Sequence, residues 1–235
     1  MKKLFAVVAA IVAFGFANSA NAAPPVAVYD WSGFYAGLNA GYGWARNDGT
    51  DVDPVWSPVT STDGIHPKGG LFGGHVGYNF RLDNSFVAGV EASLNWADIN
   101  ASTASFAGGM TSWSSKVGTL LTFDARLGYA MGLWLPYVKA GYAGARLKDG
   151  FFENDGGDIS TDSHSIWVNG WNVGVGAEYA ITRNWIVGVE YNYMDFGTAS
   201  WSGINSAAER YNWRDELRIS TITARVSYKF SPWGR

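Results

Sequence analysis

The fold is decided by the stretch Gly33-Phe34-Tyr35-Ala36-Gly37-Leu38-Asn39-Ala40-Gly41-Tyr42-Gly43-Trp44. From Phe34 to Trp44 every second residue is apolar, and the residues between them are glycine, Tyr35 and Asn39. Successive side chains of a β-strand point to opposite faces. The stretch therefore predicts a strand with one apolar face and one glycine-rich, polar face.

The same alternation recurs seven more times along the chain. The apolar faces of these segments are centred on Val76, Val90, Phe123, Val138, Val175, Val189 and Val226. The fourth face is expected to run from Val117 to Tyr129, and none of the eight faces carries a charge. Strands of a membrane barrel alternate in this way between lipid and interior. The pattern predicts an all-β protein, an eight-stranded antiparallel up-and-down transmembrane β-barrel.

A soluble eight-stranded barrel with its apolar face inward is the competing architecture. The interior of an eight-stranded barrel is just wide enough for side chains to fill it. The aromatic residues of these apolar faces would overfill that space, whereas the glycine-rich faces fit it. The membrane barrel is therefore favoured.

The N-terminus has the pattern of an export signal. Lys2 and Lys3 precede an apolar run over residues 4–16, and the run is followed by Ala20-Asn21-Ala22. These features predict a secretory signal peptide over residues 1–22, cleaved near Ala22, because the run is shorter than the roughly 20 residues of a membrane-spanning helix. Residues 23–32 are then a short periplasmic segment, 33–230 the barrel and 231–235 a C-terminal tail.

Composition narrows the function classes. The chain has no cysteine, which removes disulfides and thiolate metal sites. Its net charge of −3 gives no reason to expect nucleic acid. Charged residues make up 16% of the chain, below the roughly 25% usual in soluble domains.

The connections between the predicted strands alternate between long and short. Long loops are expected at residues 46–68, 97–112, 147–165 and 195–215, and short turns at 82–85, 130–133 and 180–184. Barrels of the outer membrane have short periplasmic turns and longer external loops. The four long loops are therefore expected to face the environment.

Aromatic residues are predicted to form two girdles, one at each membrane interface. The girdle residues are Trp44, Phe80, Phe86, Trp96, Trp134, Trp185 and Phe230.

The inward faces carry charged residues at similar depth. Five of them lie five residues from an aromatic residue at the periplasmic end of their strand: Glu91, Asp124, Lys139, Glu190 and Arg225. This equal spacing places them in one layer near the middle of the membrane. The predicted interior network consists of Glu91, Asp124, Arg126, Lys139, Glu178, Glu190 and Arg225. It is either a salt-bridge plug, which the cost of a lone buried charge favours, or a proton or ion pathway.

Other polar groups give weaker signals. His75 is expected inside the barrel and His66 and His164 in loops, and three scattered imidazoles lack metal-ligand spacing. Ser163-His164-Ser165, a His/Ser pairing, is also expected in a loop. The third long loop is acidic and could hold Ca²⁺ or simply be solvated; its acidic residues are Asp149, Glu153, Asp155, Asp158 and Asp162. No catalytic residue, cofactor or metal is predicted.

Several motifs resemble one known family. They are Trp31-Ser32-Gly33-Phe34-Tyr35-Ala36-Gly37, Gly41-Tyr42-Gly43-Trp44, Arg126-Leu127-Gly128-Tyr129, Leu135-Pro136-Tyr137-Val138, Val175-Gly176-Ala177-Glu178-Tyr179 and Glu190-Tyr191. They are similar to the opacity-type outer membrane β-barrel proteins of alphaproteobacteria, also called porin family proteins. One departure is that Phe230 is followed by five residues, whereas such barrels usually end on an aromatic residue.

The resemblance implies a Gram-negative outer-membrane surface protein, but it does not imply one function. The closed interior and the four outer loops predict a structural role in the envelope and loop-mediated interactions. A small passive channel is the alternative, and an enzyme is not expected. The implied partners are outer-membrane lipids and lipopolysaccharide, with a surface or host ligand for the loops. No nucleic acid partner is expected, and the protein is expected to be a monomer.

Overall fold

A computed structural model describes residues 29–51, 66–83, 85–105, 111–155, 158–204 and 210–230. These residues form eight strands: β1 (Gly33–Asp51), β2 (Lys68–Arg81), β3 (Phe86–Ser105), β4 (Thr111–Tyr129), β5 (Trp134–Asp155), β6 (Asp158–Ala180), β7 (Trp185–Ile204) and β8 (Arg210–Lys229). Each strand pairs antiparallel with the next, and β8 pairs with β1 to close a barrel. The predicted fold is confirmed.

No helix among the described residues is long and apolar enough to cross a membrane.

The strands are staggered around the barrel. Following the paired residues from Phe34 through all eight strands returns to β1 at Trp44, ten residues farther along. A stagger of this kind tilts the strands by about 40° from the barrel axis. The interior is narrow enough for side chains to fill it.

The apolar faces point outward, as the alternation predicts. Val90 and Val189 are 55% and 58% exposed at mid-strand. Large aromatic side chains lie toward both ends of the same wall, including Trp134 and Trp185 at one end and Trp44 and Trp96 at the other. Such an apolar surface is far larger than soluble proteins expose and is suited to lipid.

The strands continue well beyond their predicted ends. The described parts of the four expected long loops are mostly strand, and β5 and β6 are paired as far as Asp155 and Asp158. Trp44 and Trp96 consequently lie within strands rather than at their ends. The predicted strand ends were too early, because they were placed where the alternation of apolar residues stops. That alternation is required only where one face of the strand contacts lipid, whereas the backbone pairing continues beyond the lipid.

Two loop assignments are corrected by these longer strands. Asp149, Glu153 and Asp155 lie on β5, and Asp158, Asp162 and Ser163-His164-Ser165 lie on β6. The acidic residues are therefore part of a paired hairpin, not of a flexible loop.

Val117 was predicted to face outward and instead faces the interior, with 1% of its surface exposed. Between Val117 and Thr119, β4 advances two residues while β5 advances one, from Leu147 to Arg146. A bulge of one extra residue moves the following side chains to the other face. Thr119 and the residues after it keep the predicted orientation.

Candidate functional site: the filled barrel interior

The interior is filled by three zones stacked along the barrel axis. At the end with the short turns lies an apolar group of side chains, here called the floor: Trp31, Val87, Leu135, Ala180 and Ile186. Charged and polar side chains occupy the middle. Beyond them lies a second apolar group, the roof: Ala45, Leu71, Ala97, Ile99, Val117, Leu120, Ala143, Ala145, Leu147, Met194, Phe196, Leu217 and Ile219.

The floor is built around Trp31, which precedes the first strand. Its side chain is 1% exposed, and its indole Nε1 donates a hydrogen bond to the carbonyl oxygen of Gly132, 3.3 Å away. The described part of the predicted periplasmic segment, residues 29–32, thus includes a side chain that closes the barrel mouth. Trp31 had no predicted role beyond its place in the motif.

The same segment contacts the last strand. The Lys229 ammonium donates to the backbone oxygen of Asp30 and lies 4.5 Å from the centre of the Tyr29 ring. Burial, with the negative charge of Asp30 beside it, raises the pKa of Tyr29 to about 12. Burial would raise the pKa of Asp30, but hydrogen bonds from Ser32 and the charge of Lys229 outweigh it and lower that pKa.

The structure brings the seven charged residues of the predicted interior network together in the middle zone. Lys139 lies at the centre, with its Nζ 2.9 Å from Glu190, 3.0 Å from Asp124 and 3.3 Å from Glu91. These side chains are almost entirely buried. Each ammonium or carboxylate therefore has an opposite charge to offset its desolvation.

The two arginines complete the network. Arg126 forms a two-point contact with Glu178 at 2.8 and 3.2 Å, and its guanidinium also lies 3.9 Å from the centre of the Tyr137 ring. Arg225 donates to Glu91 at 3.1 Å and to Glu190. A guanidinium suits these contacts because its planar fork can engage two oxygens at once.

A buried histidine lies on the roof side of this network. His75 Nε2 is 2.7 Å from the Ser227 hydroxyl, and its Nδ1 is 3.3 Å from Asn39 Oδ1. Serine, histidine and an orienting amide are connected as in serine hydrolases. However, all three side chains are buried inside the barrel, where a substrate has no described route of entry.

The seven predicted girdle residues all lie on the outer wall. Phe80, Phe86, Trp134, Trp185 and Phe230 are near the short turns, and Trp44 and Trp96 are toward the opposite end. Several contact a second aromatic ring, as Phe86 contacts Tyr129 and Phe72 contacts Trp96.

The roof was not predicted, because the inward faces were expected to be polar throughout. A signal was present, since Ala97 and Ile99 continue the inward positions of β3 after Glu91 and Asn95. His66 lies before β2 and is exposed. Among the described residues no cluster of three or more histidine or carboxylate side chains is arranged to hold a metal ion.

A closed barrel of eight antiparallel strands, with an apolar outer wall and two aromatic girdles, defines a transmembrane β-barrel protein. The chain belongs to the outer membrane protein beta-barrel domain family, whose profile matches residues 7–230.

Two curated relatives cover nearly the whole chain. The 31 kDa outer-membrane immunogenic protein of Brucella melitensis is 33% identical over 222 residues, which are 90% of this chain and 89% of the relative. The 25 kDa outer-membrane immunogenic protein of Brucella abortus is 30% identical over 244 residues, covering 98% of this chain and 99% of the relative. Both names support an outer-membrane location.

Among solved structures, the outer membrane protein OprG from Pseudomonas aeruginosa matches with a TM-score of 0.48 and 12% identity, covering 86% of this chain and 100% of that chain.

Proposed function

We propose that the protein is a closed structural barrel of the outer membrane, which supports envelope integrity and presents its long strand ends at the cell surface for interactions. The observation that carries this proposal is the filled interior. Charged side chains bridge the barrel at mid-height, and apolar side chains pack on both sides of them.

The space left inside supports a closed state. The cavity between the charged network and the roof has a volume of about 20 Å³ and is bordered by Asn39, His75 and Asn192. A single water needs about 10–15 Å³ measured in this way. A hydrated ion has no continuous path through such a space.

We also propose that the protein is not an enzyme. The buried position of Ser227 and His75 supports this, because a nucleophile must reach its substrate. In this proposal the hydrogen bonds of His75 to Asn39 and Ser227 serve to satisfy polar groups in the interior.

Processing and partners belong to the same proposal. The signal peptide is cleaved near Ala22, and residues 23–32 remain in the periplasm. The protein acts as a monomer without cofactor or nucleic acid. Its lipid partners are those of the outer membrane, including lipopolysaccharide. Its long external loops bind a surface or host ligand.

The test measures ion conductance. The full mature chain, folded and inserted into planar lipid bilayers, should show at most rare and small conductance steps. A gel shift between unheated and boiled samples checks that the inserted protein is the folded barrel. Steady, large, ion-selective currents would overturn the proposal and favour the passive channel.

The surface role needs its own measurement. Each of the four long connections is shortened in turn, and cells are scored for detergent sensitivity and for binding to candidate surfaces. We expect at least one shortened form to lose a binding activity while the barrel remains folded. Unchanged binding in all four would contradict a role in surface interaction.

A further inference from the structure

Three cationic side chains lie together on the outer wall, beyond the aromatic girdle that contains Trp44 and Trp96. Lys116 on β4 is paired in register with Lys148 on β5, and Arg146 lies two residues before Lys148 on the same face. All three side chains are exposed. With Ser165 of β6 they form what we call the basic wall.

The height of the basic wall on the barrel matches a membrane surface. Tyr142 on β5 is an aromatic residue exposed on the outer wall. Arg146 lies four residues above it, which corresponds to about 10 Å along the barrel axis for a tilted strand. Its direct partner on β6 is Trp167, whose ring is exposed on the same wall. Tryptophan at this level is typical of the lipid headgroup region.

The positive charge of the basic wall is only partly neutralised. Lys116 is bridged to Asp98 at 2.7 Å. Arg146 instead donates from Nε to the Ser165 hydroxyl at 3.0 Å, and among the described side chains neither Arg146 nor Lys148 is bridged to a carboxylate.

The opposite side of the barrel is different. Arg218 on β8 is bridged to Glu216 at 2.7 Å and lies 3.5 Å from Asp195. Arg218 is therefore matched by carboxylates on β7 and β8, whereas Arg146 and Lys148 on β5 have no such partner among the described side chains.

A groove adjoins the excess charge. It has a volume of about 380 Å³ and is lined by Thr119, Arg146, Ser165, Ile166 and Trp167. Just below it, the Trp167 ring covers Gly144, where an added Cβ would lie 2.5 Å from the ring. The groove thus has cationic and hydroxyl groups on one side and an aromatic, lipid-facing surface on the other.

We propose that the basic wall binds the phosphate groups of a glycolipid in the outer leaflet, with Arg146 and Lys148 as the main contacts. Guanidinium and ammonium groups recognise phosphate through charge-assisted hydrogen bonds. The Ser165 hydroxyl can donate a further bond, and Trp167 packs against the lipid below. The proposal rests on the outer-membrane location that the proposed function assumes, and it names the lipid partner.

The test compares two pairs of cationic side chains on the outer surface of the barrel, one inside the basic wall and one outside it. The full mature chain is folded in nanodiscs of zwitterionic phospholipid, and binding of purified lipopolysaccharide is measured. The test variant is Arg146→Gln/Lys148→Gln. The matched control, Arg46→Gln/Lys68→Gln, removes the same charge from β1 and β2 at a similar height.

We expect the test variant to bind lipopolysaccharide about tenfold more weakly, as the loss of charge-assisted bonds implies, and the control to bind almost normally. Enzymatically dephosphorylated lipopolysaccharide should bind the wild type as weakly as the intact lipid binds the test variant. Millimolar inorganic phosphate should not compete.

Equal losses in the two variants, or unchanged binding after dephosphorylation, would overturn the proposal. Full competition by inorganic phosphate would also overturn it, since the site would then be one for free anions. Large channel currents would contradict the proposed function without affecting these binding results.

Discussion

The hydroxyl of Tyr35 on β1 donates a hydrogen bond to Glu91 on β3, 2.8 Å away, by passing over Gly77 on the strand between them. Tyr137 on β5 makes the same contact with Glu190 on β7, at 2.6 Å, over Gly176. The barrel interior therefore uses one arrangement twice, in its two halves.

Each of the two arrangements ends on an arginine. Arg126 on β4 donates to the Tyr35 hydroxyl at 2.8 Å, and Arg225 on β8 donates to the Tyr137 hydroxyl at 3.0 Å. Tyrosine, glycine, glutamate and arginine thus follow one another on four consecutive strands in each half. Lys139 has no counterpart in the first half, where Gly37 occupies the corresponding position after Tyr35.

The glycine between tyrosine and glutamate is the first point to test. In Gly77→Ala the new Cβ would lie 2.4 Å from the Tyr35 hydroxyl oxygen and 2.7 Å from the Val90 carbonyl oxygen. We expect the free energy of unfolding to fall by about 1–3 kcal/mol, as for other overpacked sites. Urea titration of the barrel folded into lipid vesicles measures it. Gly70→Ala is the control, because the neighbouring Gly41 carbonyl oxygen is 4.0 Å from the added Cβ. Equal midpoints for the two variants would contradict the expectation.

Removing one member of the charged network should cost more than removing two. Arg225→Met leaves Glu190 and Glu91 with fewer cations, and a broken buried pair typically costs about 3–5 kcal/mol. In Glu190→Gln/Arg225→Met the loss should be smaller, because Glu91 keeps Lys139 and Arg126 within 3.3 Å. The comparison is made by urea unfolding. A double variant less stable than the single one would contradict the expectation, because Glu190 would then stabilise the barrel even without Arg225.

A charged side chain at the centre of the lipid-facing wall should destabilise the folded barrel. Val189→Arg places a guanidinium where the side chain is 58% exposed to the membrane interior, and we expect a loss of about 2–4 kcal/mol. Leu82→Arg is the control, because Leu82 is exposed in the turn between β2 and β3. Similar losses of folded barrel at both sites, measured in vesicles, would mean that Val189 does not face lipid.

Trp31 should stabilise the barrel more than its position before the first strand suggests. Trp31→Ala empties the centre of the floor, and truncation of a buried tryptophan costs about 3–5 kcal/mol. Tyr29→Phe removes only an exposed hydrogen bond to the Arg183 carbonyl oxygen and should cost about 1 kcal/mol or less. Thermal unfolding followed by the gel shift distinguishes the two, and equal stability of both variants would argue against a structural floor.

The membrane-spanning part of the fold was predictable because lipid imposes a strict rule on one face of each strand. Phe34 and Val189 follow that rule, and their orientation was predicted correctly. Beyond the aromatic belt the rule no longer holds, so the continuation of β5 to Asp155 and of β6 from Asp158 left no alternating signal. The bulge after Val117 was also invisible, because Val117 fits either face chemically.

The interior was predictable in part. The spacing from aromatic residues places Glu91 and Lys139 at one depth, but it does not say which cation contacts which carboxylate, since side-chain reach and glycine gaps decide that. The contact of Trp31 with Leu135 and Ile186 joins residues far apart in sequence. Such a contact depends on closure of the whole barrel and has no local pattern.

The floor has a consequence for the order of assembly. Trp31 can pack only when strands β3, β5, β6 and β7 have come together, and Asp30 can accept the Lys229 hydrogen bond only when β8 is in place. At the same seam, the Phe230 amide donates to the Phe34 carbonyl oxygen at 2.9 Å. The first described residues of the chain can therefore dock only once the barrel has closed, and their contacts with β8 then add to the backbone pairing of the first and last strands.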